Sequence, residues 1–111
     1  MSDCIFCRIA AHEAPTKIVH EDEHVIAFDA LNPAAPLHVL VIPKRHVASL
    51  RDADADIAGR LAVASARVAR EAGYSESGYR VLTNVGSDGG QSVAHLHFHV
   101  LAGRSLAWPP G

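Results

Sequence analysis

The sequence feature that most constrains this chain is a run in which histidines alternate with apolar residues. Residues 95–101 read His-Leu-His-Phe-His-Val-Leu. Alternation with a period of two predicts a β-strand with His95, His97 and His99 on one face, about 6.5 Å apart, and an apolar face that packs on the core. Near neutral pH an imidazole can be a nucleophile, a proton donor or acceptor, or a metal ligand. The run therefore predicts a reactive site, and an exposed polar face rich in histidine is the alternative interpretation.

The composition indicates one globular domain over residues 1–111, because 111 residues that are 49% hydrophobic can bury one core but not two. The net charge of −2, with scattered Lys and Arg, argues against a nucleic-acid partner. No apolar stretch approaches the roughly 20 residues of a membrane span, and the first residues show no signal-peptide pattern. The two cysteines lie close together, as Cys4 and Cys7, which argues against a structural disulfide and predicts a cytoplasmic location.

Hydrophobic periodicity and turn residues predict two helices and five strands. A short helix is expected over residues 4–11 and a long one over 54–72, with aspartates at its start and Gly73 just beyond its end. The strands are expected at 17–21, 24–29, 38–42, 79–84 and 95–101. Closely spaced early strands and one long return helix predict an α+β fold that begins as an antiparallel meander.

A glycine-rich loop precedes the histidine run. Residues 84–92 read Asn-Val-Gly-Ser-Asp-Gly-Gly-Gln-Ser. Glycines allow backbone N–H groups to converge on an anion without an intervening Cβ. An ordinary hairpin turn is the alternative interpretation. Because the loop ends three residues before the run, we expect it to bind a phosphate within reach of His97.

Four further segments stand beside the histidine run as motifs. They are Cys-Ile-Phe-Cys-Arg-Ile at 4–9, Ala-Pro-Leu-His-Val-Leu-Val-Ile-Pro-Lys-Arg-His at 35–46, Gly-Ser-Asp-Gly-Gly-Gln-Ser at 86–92 and Trp-Pro-Pro-Gly at 108–111. Together with His-x-His-x-His, they resemble the histidine triad (HIT) superfamily, and within it the Hint branch of nucleotide-binding proteins. The similarity extends from residue 4 to residue 111.

The resemblance implies a HIT-like α+β fold, with a five-stranded antiparallel sheet, one long and one short helix, and a homodimer whose two sheets join. It also implies hydrolysis of purine nucleoside phosphoramidates, such as adenosine 5′-monophosphoramidate, through a nucleotidyl-histidine intermediate. A purine nucleotide-binding or protein-interaction module with little turnover is the alternative. A matching nucleophile and Ser92 favour the enzyme, since a pure binding protein needs neither.

By motif position, His97 would be the nucleophile that attacks the α-phosphorus. It would be flanked within the run by His95 and His99. The resemblance implies that His99 and His38 contact the α-phosphate or orient His97. Ser92 would lie near the leaving nitrogen. These five residues are the expected catalytic set.

The resemblance also implies a nucleotide pocket. Its phosphate side would be lined by Asn84, Gly90, Gln91 and Ser92. The base would lie in an apolar slot formed by Phe6, Phe28 and Leu31. One position departs from the family pattern, because Ala30 stands where an acid usually binds the ribose hydroxyls, and the neighbouring acid is Asp29. Either Asp29 takes that role or ribose recognition is weaker.

Cys4 and Cys7 have the Cys-x₂-Cys spacing of zinc ligands, but a structural zinc site needs four ligands. In some relatives with this cysteine pair, two histidines complete the site, and here the matching positions are His46 and His95. The resemblance thus implies a structural zinc site that catalysis does not require. The alternative is that both cysteines are small buried residues at the start of a helix.

Overall fold

The computed structural model describes residues 3–111, and a five-stranded antiparallel sheet lies at its centre. The strands are β1 (Ile18–Glu21), β2 (Val25–Asp29), β3 (Leu37–Pro43), β4 (Tyr79–Thr83) and β5 (Phe98–Ala102). The helices are α1 (Ile5–Ala10), a 3-10 turn (Leu50–Asp52) and α2 (Ala55–Glu71). The α+β class and the antiparallel sheet are confirmed, and the first four strands begin and end within one residue of their predicted bounds.

The order of the strands places the end of the histidine run in the middle of the sheet. The strands lie in the order β1-β2-β3-β5-β4, and every neighbouring pair is antiparallel. β1 to β3 form the predicted meander, and α2 then carries the chain to the edge strand β4. β5 comes last and lies between β3 and β4, where His99 is opposite Leu40 on one side and Leu82 on the other.

Helix α2 covers one face of the sheet. Its residues Leu61 and Val68 are buried in a core cluster with Val41 of β3 and with Leu96 and Val100 of the histidine run. The apolar side of the run therefore packs on the core, as its alternation predicts. None of the helices within residues 3–111 has the length and apolar character to cross a membrane.

Helix α1 covers the opposite face, on which the histidines lie. Phe6 and Ile9 are buried with Ile42 of β3 in a second core cluster. The ring of Phe6 meets the rings of His95 and His97 edge to face, at centroid distances of 5.9 and 5.1 Å. Helix α1 thus covers the rings of His95 and His97 with the side chain of Phe6.

The prediction of a strand over residues 95–101 is wrong at its start. β5 begins at Phe98, so His95 and His97 lie in extended chain before it. Pairing with β3 ends because Pro43 has no N–H to donate. Pairing with β4 ends because the hydroxyl of Thr83, instead of a backbone N–H, donates to the carbonyl of His97 at 2.8 Å. The two histidines are therefore held by individual contacts rather than by the sheet ladder.

The ends of α2 agree with the prediction. Asp54 is the N-cap, and its carboxylate accepts a hydrogen bond from the N–H of Ile57 at 2.9 Å. The helix ends at Glu71 with Ala72 as its C-cap, and Gly73 follows with φ +91°, a conformation that glycine adopts without a steric penalty.

Asp54→Ala should lower the free energy of unfolding by about 1 kcal/mol, because it leaves an N–H at the start of α2 without its acceptor. Asp56→Ala is the matched control, since it removes from the same turn a carboxylate that pairs with Arg60 on the surface. Urea unfolding measures both. Equal losses in the two variants would mean that charge, and not the cap, stabilises this helix end.

Candidate functional site

The backbone of the histidine run orients the side chain of His97. It is buried, and its Nδ1 lies 2.7 Å from the carbonyl oxygen of His95. Because a carbonyl only accepts hydrogen bonds, the neutral ring carries its proton on Nδ1, and Nε2 carries the lone pair. The edge-to-face contact with Phe6 fixes the plane of the ring. This arrangement gives an imidazole with a single tautomer and a basic nitrogen in a known position.

A chain of two hydrogen bonds orients His99 beside it. The N–H of Ala34 donates to Nδ1 of His38 at 3.0 Å, so neutral His38 carries its proton on Nε2. That Nε2–H donates to Nδ1 of His99 at 2.9 Å, which leaves His99 with its proton on Nε2. The ring centroids of His99 and His97 are 5.1 Å apart. The site therefore offers one imidazole acceptor and one imidazole donor side by side.

Burial favours the neutral form of three histidines of the site, His38, His95 and His99. Burial, helped by the nearby rings of His97 and His38, lowers the pKa of His99 to about 4. Burial also lowers the pKa of His38. The pKa of His95 is lowered by burial despite the carbonyl of Pro43, which favours the protonated ring. Both rings of the His38–His99 pair are thus in the neutral form that the hydrogen-bond chain requires.

An apolar cavity of about 540 Å³ shares Phe6 with the histidine site. Phe6 and Phe28 form its inner wall, with ring centroids 5.5 Å apart in an edge-to-face contact. Asp29 and Leu31 lie at its rim, where Leu31 is 93% exposed and Asp29 faces Lys17 at 3.7 Å. The structure thus brings together the four residues predicted for the base and ribose. What binds there stays a prediction.

The glycine-rich loop is held by the side chains that were expected to bind phosphate. The amide of Asn84 donates to the carbonyl of Gly89 at 2.6 Å. The side-chain oxygen of Gln91 accepts from the N–H of Gly86 at 3.1 Å, and its amide nitrogen donates to the carbonyl of Ala48 at 2.8 Å. These two residues give the loop its shape.

Two further loop residues remain as candidates for ligand contacts. Gly90 has φ +77°, which favours glycine there. Ser92 ends the loop with its side chain exposed. The structure supports a shaped loop before the histidine run, and the phosphate role of these residues remains a prediction.

Four potential metal ligands meet at the start of α1. The ligand atoms of Cys4, Cys7, His46 and His95 all lie within 4.8 Å of one another. Nδ1 of His95 is 3.3 Å from the sulfur of Cys4 and 3.5 Å from that of Cys7, and Nδ1 of His46 is 3.3 Å from the sulfur of Cys7. Two sulfurs and two imidazole nitrogens form a donor set that suits tetrahedral zinc.

The second nitrogen of His95 strengthens this fit. Its Nε2 donates to the carbonyl of Pro43 at 2.9 Å, so the neutral ring turns the lone pair of Nδ1 towards the two sulfurs. Histidines that bind metals commonly donate their other N–H to a carbonyl or carboxylate in this way. The residues present therefore fit a zinc ion, as expected from the resemblance.

His95 belongs to both parts of the site. Its ring lies in the cysteine cluster, and its backbone carbonyl fixes the tautomer of His97. The sequence analysis places His95 in both the catalytic set and the zinc set, but it misses the role of its backbone carbonyl and the roles of the Ala34 N–H and the Pro43 carbonyl. Backbone groups are present at every position, so no residue type marks the ones that bind a side chain.

Comparisons with known proteins agree with this geometry. A profile of the HIT domain matches residues 11–106. The chain belongs to the HIT domain family. A HIT-like protein of Synechococcus elongatus is 47% identical, with 98% of this chain and 97% of that protein covered. A 14 kDa zinc-binding protein of Zea mays is 44% identical, with 99% of this chain and 89% of the relative covered.

Solved structures of the family share the fold. A HIT family hydrolase from Legionella pneumophila superposes with a TM-score of 0.92 at 45% identity, covering 98% of this chain and 100% of that one. A histidine triad protein from Clostridium difficile also superposes with a TM-score of 0.92, at 49% identity and 96% coverage of both chains. The HIT fold of this chain is thus established over nearly its whole length.

Acid should destabilise the protein through His99. Folded His99 stays neutral down to about pH 4, whereas an ordinary histidine has a pKa of 6.5, so the unfolded chain binds more protons between these values. The contribution is fully present above pH 6.5 and is lost as the pH falls towards 4. Allowing for solvent screening, His99 should account for about 1.5 kcal/mol of the stability lost between pH 7.5 and pH 4.5.

Urea unfolding of the wild type and His99→Gln at these two pH values measures the effect. The pH-dependent loss should be smaller in His99→Gln. His24→Gln, which alters an exposed histidine, should behave as the wild type. An unchanged loss in His99→Gln would show that His99 is not the group that titrates.

Proposed function

We propose that this chain is a purine nucleoside phosphoramidase of the Hint branch, with His97 as the nucleophile. The observation that carries the proposal is the hydrogen bond from Nδ1–H of His97 to the carbonyl of His95. It leaves the lone pair of Nε2 available for attack. The named hydrolase among the similar structures supports hydrolysis, and the specificity for P–N bonds is our proposal.

In the first step, the Nε2 lone pair of His97 forms a bond to the α-phosphorus while the P–N bond of the substrate breaks. The amine leaves with the electron pair of that bond and takes up a proton, which Ser92 passes on from water. The imidazole gains positive charge at this point, and the carbonyl of His95 stabilises it through the Nδ1–H. The product of this step is nucleotidyl-histidine.

In the second step, water attacks the phosphorus and breaks its bond to Nε2 of His97, and the proton that this water loses neutralises the hydroxide left by the first step. This releases the nucleoside monophosphate and returns the imidazole to its neutral form. The Nε2–H of His99, oriented through His38, is a hydrogen-bond donor for a phosphate oxygen in both steps. Because His99 is neutral at pH 7, it donates this hydrogen bond without placing a positive charge beside His97. Such a charge would oppose the positive charge that His97 gains during the attack.

The base of the substrate would lie in the cavity beside Phe6 and Phe28, whose volume of about 540 Å³ is within the range of small-ligand pockets. Ala30 lines the same cavity, so the ribose meets a methyl group at that position and a carboxylate at Asp29. Because Asp29 already pairs with Lys17, we propose that this chain contacts the ribose hydroxyls through the pair.

We also propose a homodimer formed along β4. This strand is the edge of the sheet, and its residues Tyr79 and Val81 are 38% and 37% exposed on the face that α2 covers. An edge strand with exposed apolar side chains favours pairing with a second copy. A cytoplasmic location is proposed because a cysteine-containing metal cluster is best preserved in a reducing compartment.

His97→Ala should lower the turnover of adenosine 5′-monophosphoramidate by a factor on the order of 10³ or more, because it removes the atom that forms the covalent intermediate. AMP should still bind, since the cavity and the loop are intact. Release of AMP over time measures turnover, and calorimetry measures binding. His24→Ala is the control at an exposed histidine.

Two outcomes would contradict the proposal. Retention of most activity in His97→Ala would exclude His97 as the nucleophile. A wild type that binds AMP but hydrolyses no member of a panel of adenylyl and guanylyl phosphoramidates would favour the alternative, a nucleotide-binding module with little turnover.

We propose that zinc bound by Cys4, Cys7, His46 and His95 is structural. The four residues satisfy a tetrahedral ion, which leaves no position for water or substrate. When bound, the ion supplies a cross-link between α1 and the segment before β5. The His97 reaction proposed above uses protein groups and water.

His46→Gln should reduce the zinc content and lower the melting temperature, because it removes one ligand of the cross-link. His24→Gln, also exposed, should change neither. Elemental analysis of protein purified without added metal and thermal unfolding provide the two measurements. Loss of turnover on chelation, with the fold unchanged, would instead make the metal catalytic.

A further inference from the structure

We propose that Arg104 is a positioning residue that fixes the tautomers of His38 and His99 by holding the backbone of Ala34. The catalytic consequence rests on the proposed function, whereas the tautomer assignment does not. The contacts run from the guanidinium to Ala34, from Ala34 to His38, and from His38 to His99.

Arg104 binds a single carbonyl oxygen with two of its nitrogens. Its Nε and Nη2 donate to the oxygen of Ala34 at 3.1 and 3.0 Å, and its Nη1 donates to the carbonyl of Ser105 at 3.0 Å. Two donors of one planar group on a single acceptor fix the position of the carbonyl oxygen more tightly than one donor does. Both backbone polar groups of Ala34 are then occupied, the carbonyl by Arg104 and the N–H by His38.

The strand register explains how residues 70 positions apart come to meet. β3 pairs with β5 so that Leu37 is opposite Ala102. The residues after Ala102 therefore lie beside those before Leu37. Gly103 has φ +95°, and a Cβ at this position would lie only 2.7 Å from the Cβ of Pro36. The glycine allows the two loops to touch, and the next residue, Arg104, reaches Ala34.

Ala34 needs an external support because it lies in an exposed segment between β2 and β3, outside the sheet. If its N–H moved away, Nδ1 of His38 would become free to take the proton. Nε2 of His38 would then be an acceptor towards His99, and the proton of His99 would move from Nε2 to Nδ1. His99 would change from a donor to an acceptor at the nitrogen that is to meet the phosphate.

A second arginine, Arg80, binds the segment after β5 without contacting Ala34, and it therefore serves as a comparison for Arg104. Nη2 of Arg80 donates to the carbonyls of Leu106 and Ala107 at 3.2 and 2.9 Å. Arg80 thus holds the segment after β5, as Arg104 does through Ser105, but its bonds go to that segment and not to Ala34. Arg80→Met is therefore the matched control for Arg104→Met.

The test is ¹⁵N NMR of the histidine side chains at pH 7.5, in protein labelled at histidine, with the His38 signals identified by their absence in His38→Gln. The wild type and Arg80→Met should show His38 protonated at Nε2 only. Arg104→Met should show His38 as a mixture of both tautomers. Arg104→Lys keeps the charge and one donor, so it should show less of the Nδ1-protonated tautomer of His38 than Arg104→Met does. This variant also keeps the test decisive if Arg104→Met does not fold.

Kinetics with adenosine 5′-monophosphoramidate provide the second measurement. Arg104→Met should lower kcat by about tenfold with little change in KM, because the substrate still binds while a transition-state donor is misplaced. In a His38→Gln background, the same substitution should have no additional effect on kcat. Arg80→Met should leave kcat within about twofold of the wild type.

An unchanged His38 tautomer in Arg104→Met and Arg104→Lys would overturn the inference, and so would equal changes in Arg80→Met. A wild type without phosphoramidase activity would contradict the proposed function, but the NMR comparison would still decide the role of Arg104. The two proposals thus fail by different results.

Discussion

The hydrogen bond from Nδ1–H of His97 to the carbonyl of His95 determines which chemistry the site can perform. It exists because the chain leaves the sheet ladder before Phe98, so that a side chain can reach the carbonyl two residues earlier. Pro43 and Thr83, at the ends of the two neighbouring strands, end the ladder there. A fully regular strand would have placed the imidazoles in a row but would have left their tautomers unspecified.

His95 connects this bond to the cysteine cluster within a single residue. The ring faces the two sulfurs, and the carbonyl faces His97. Stabilising the ring therefore also stabilises the peptide group that orients the nucleophile. The second support is the pair formed by His38 of β3 and His99 of β5. A separate chain of hydrogen bonds orients this pair, and the ring of His99 lies beside that of His97. Two independent supports thus act on two neighbouring imidazoles.

Patterns of side-chain type predicted much of this molecule, and backbone contacts account for what they missed. The amphipathic helix after Asp54 and the apolar strand ending at Pro43 follow from periodicity and cap residues. The position of His97 outside β5 depends on which backbone groups are left at the ends of two other strands. The contact between Arg104 and Ala34 depends on the pairing of β3 with β5, which no local pattern encodes.

The position of β5 in the sheet has a consequence for how the protein is made. β5 is the last strand in the chain, yet it lies between β3 and β4, so the inner edge of β3 stays open until β5 arrives. Open edges promote pairing with other chains, and contacts between distant residues form slowly. The strand that closes this gap also brings His99 opposite Leu40. Protection of the sheet from aggregation and assembly of the histidine site are therefore a single event in folding.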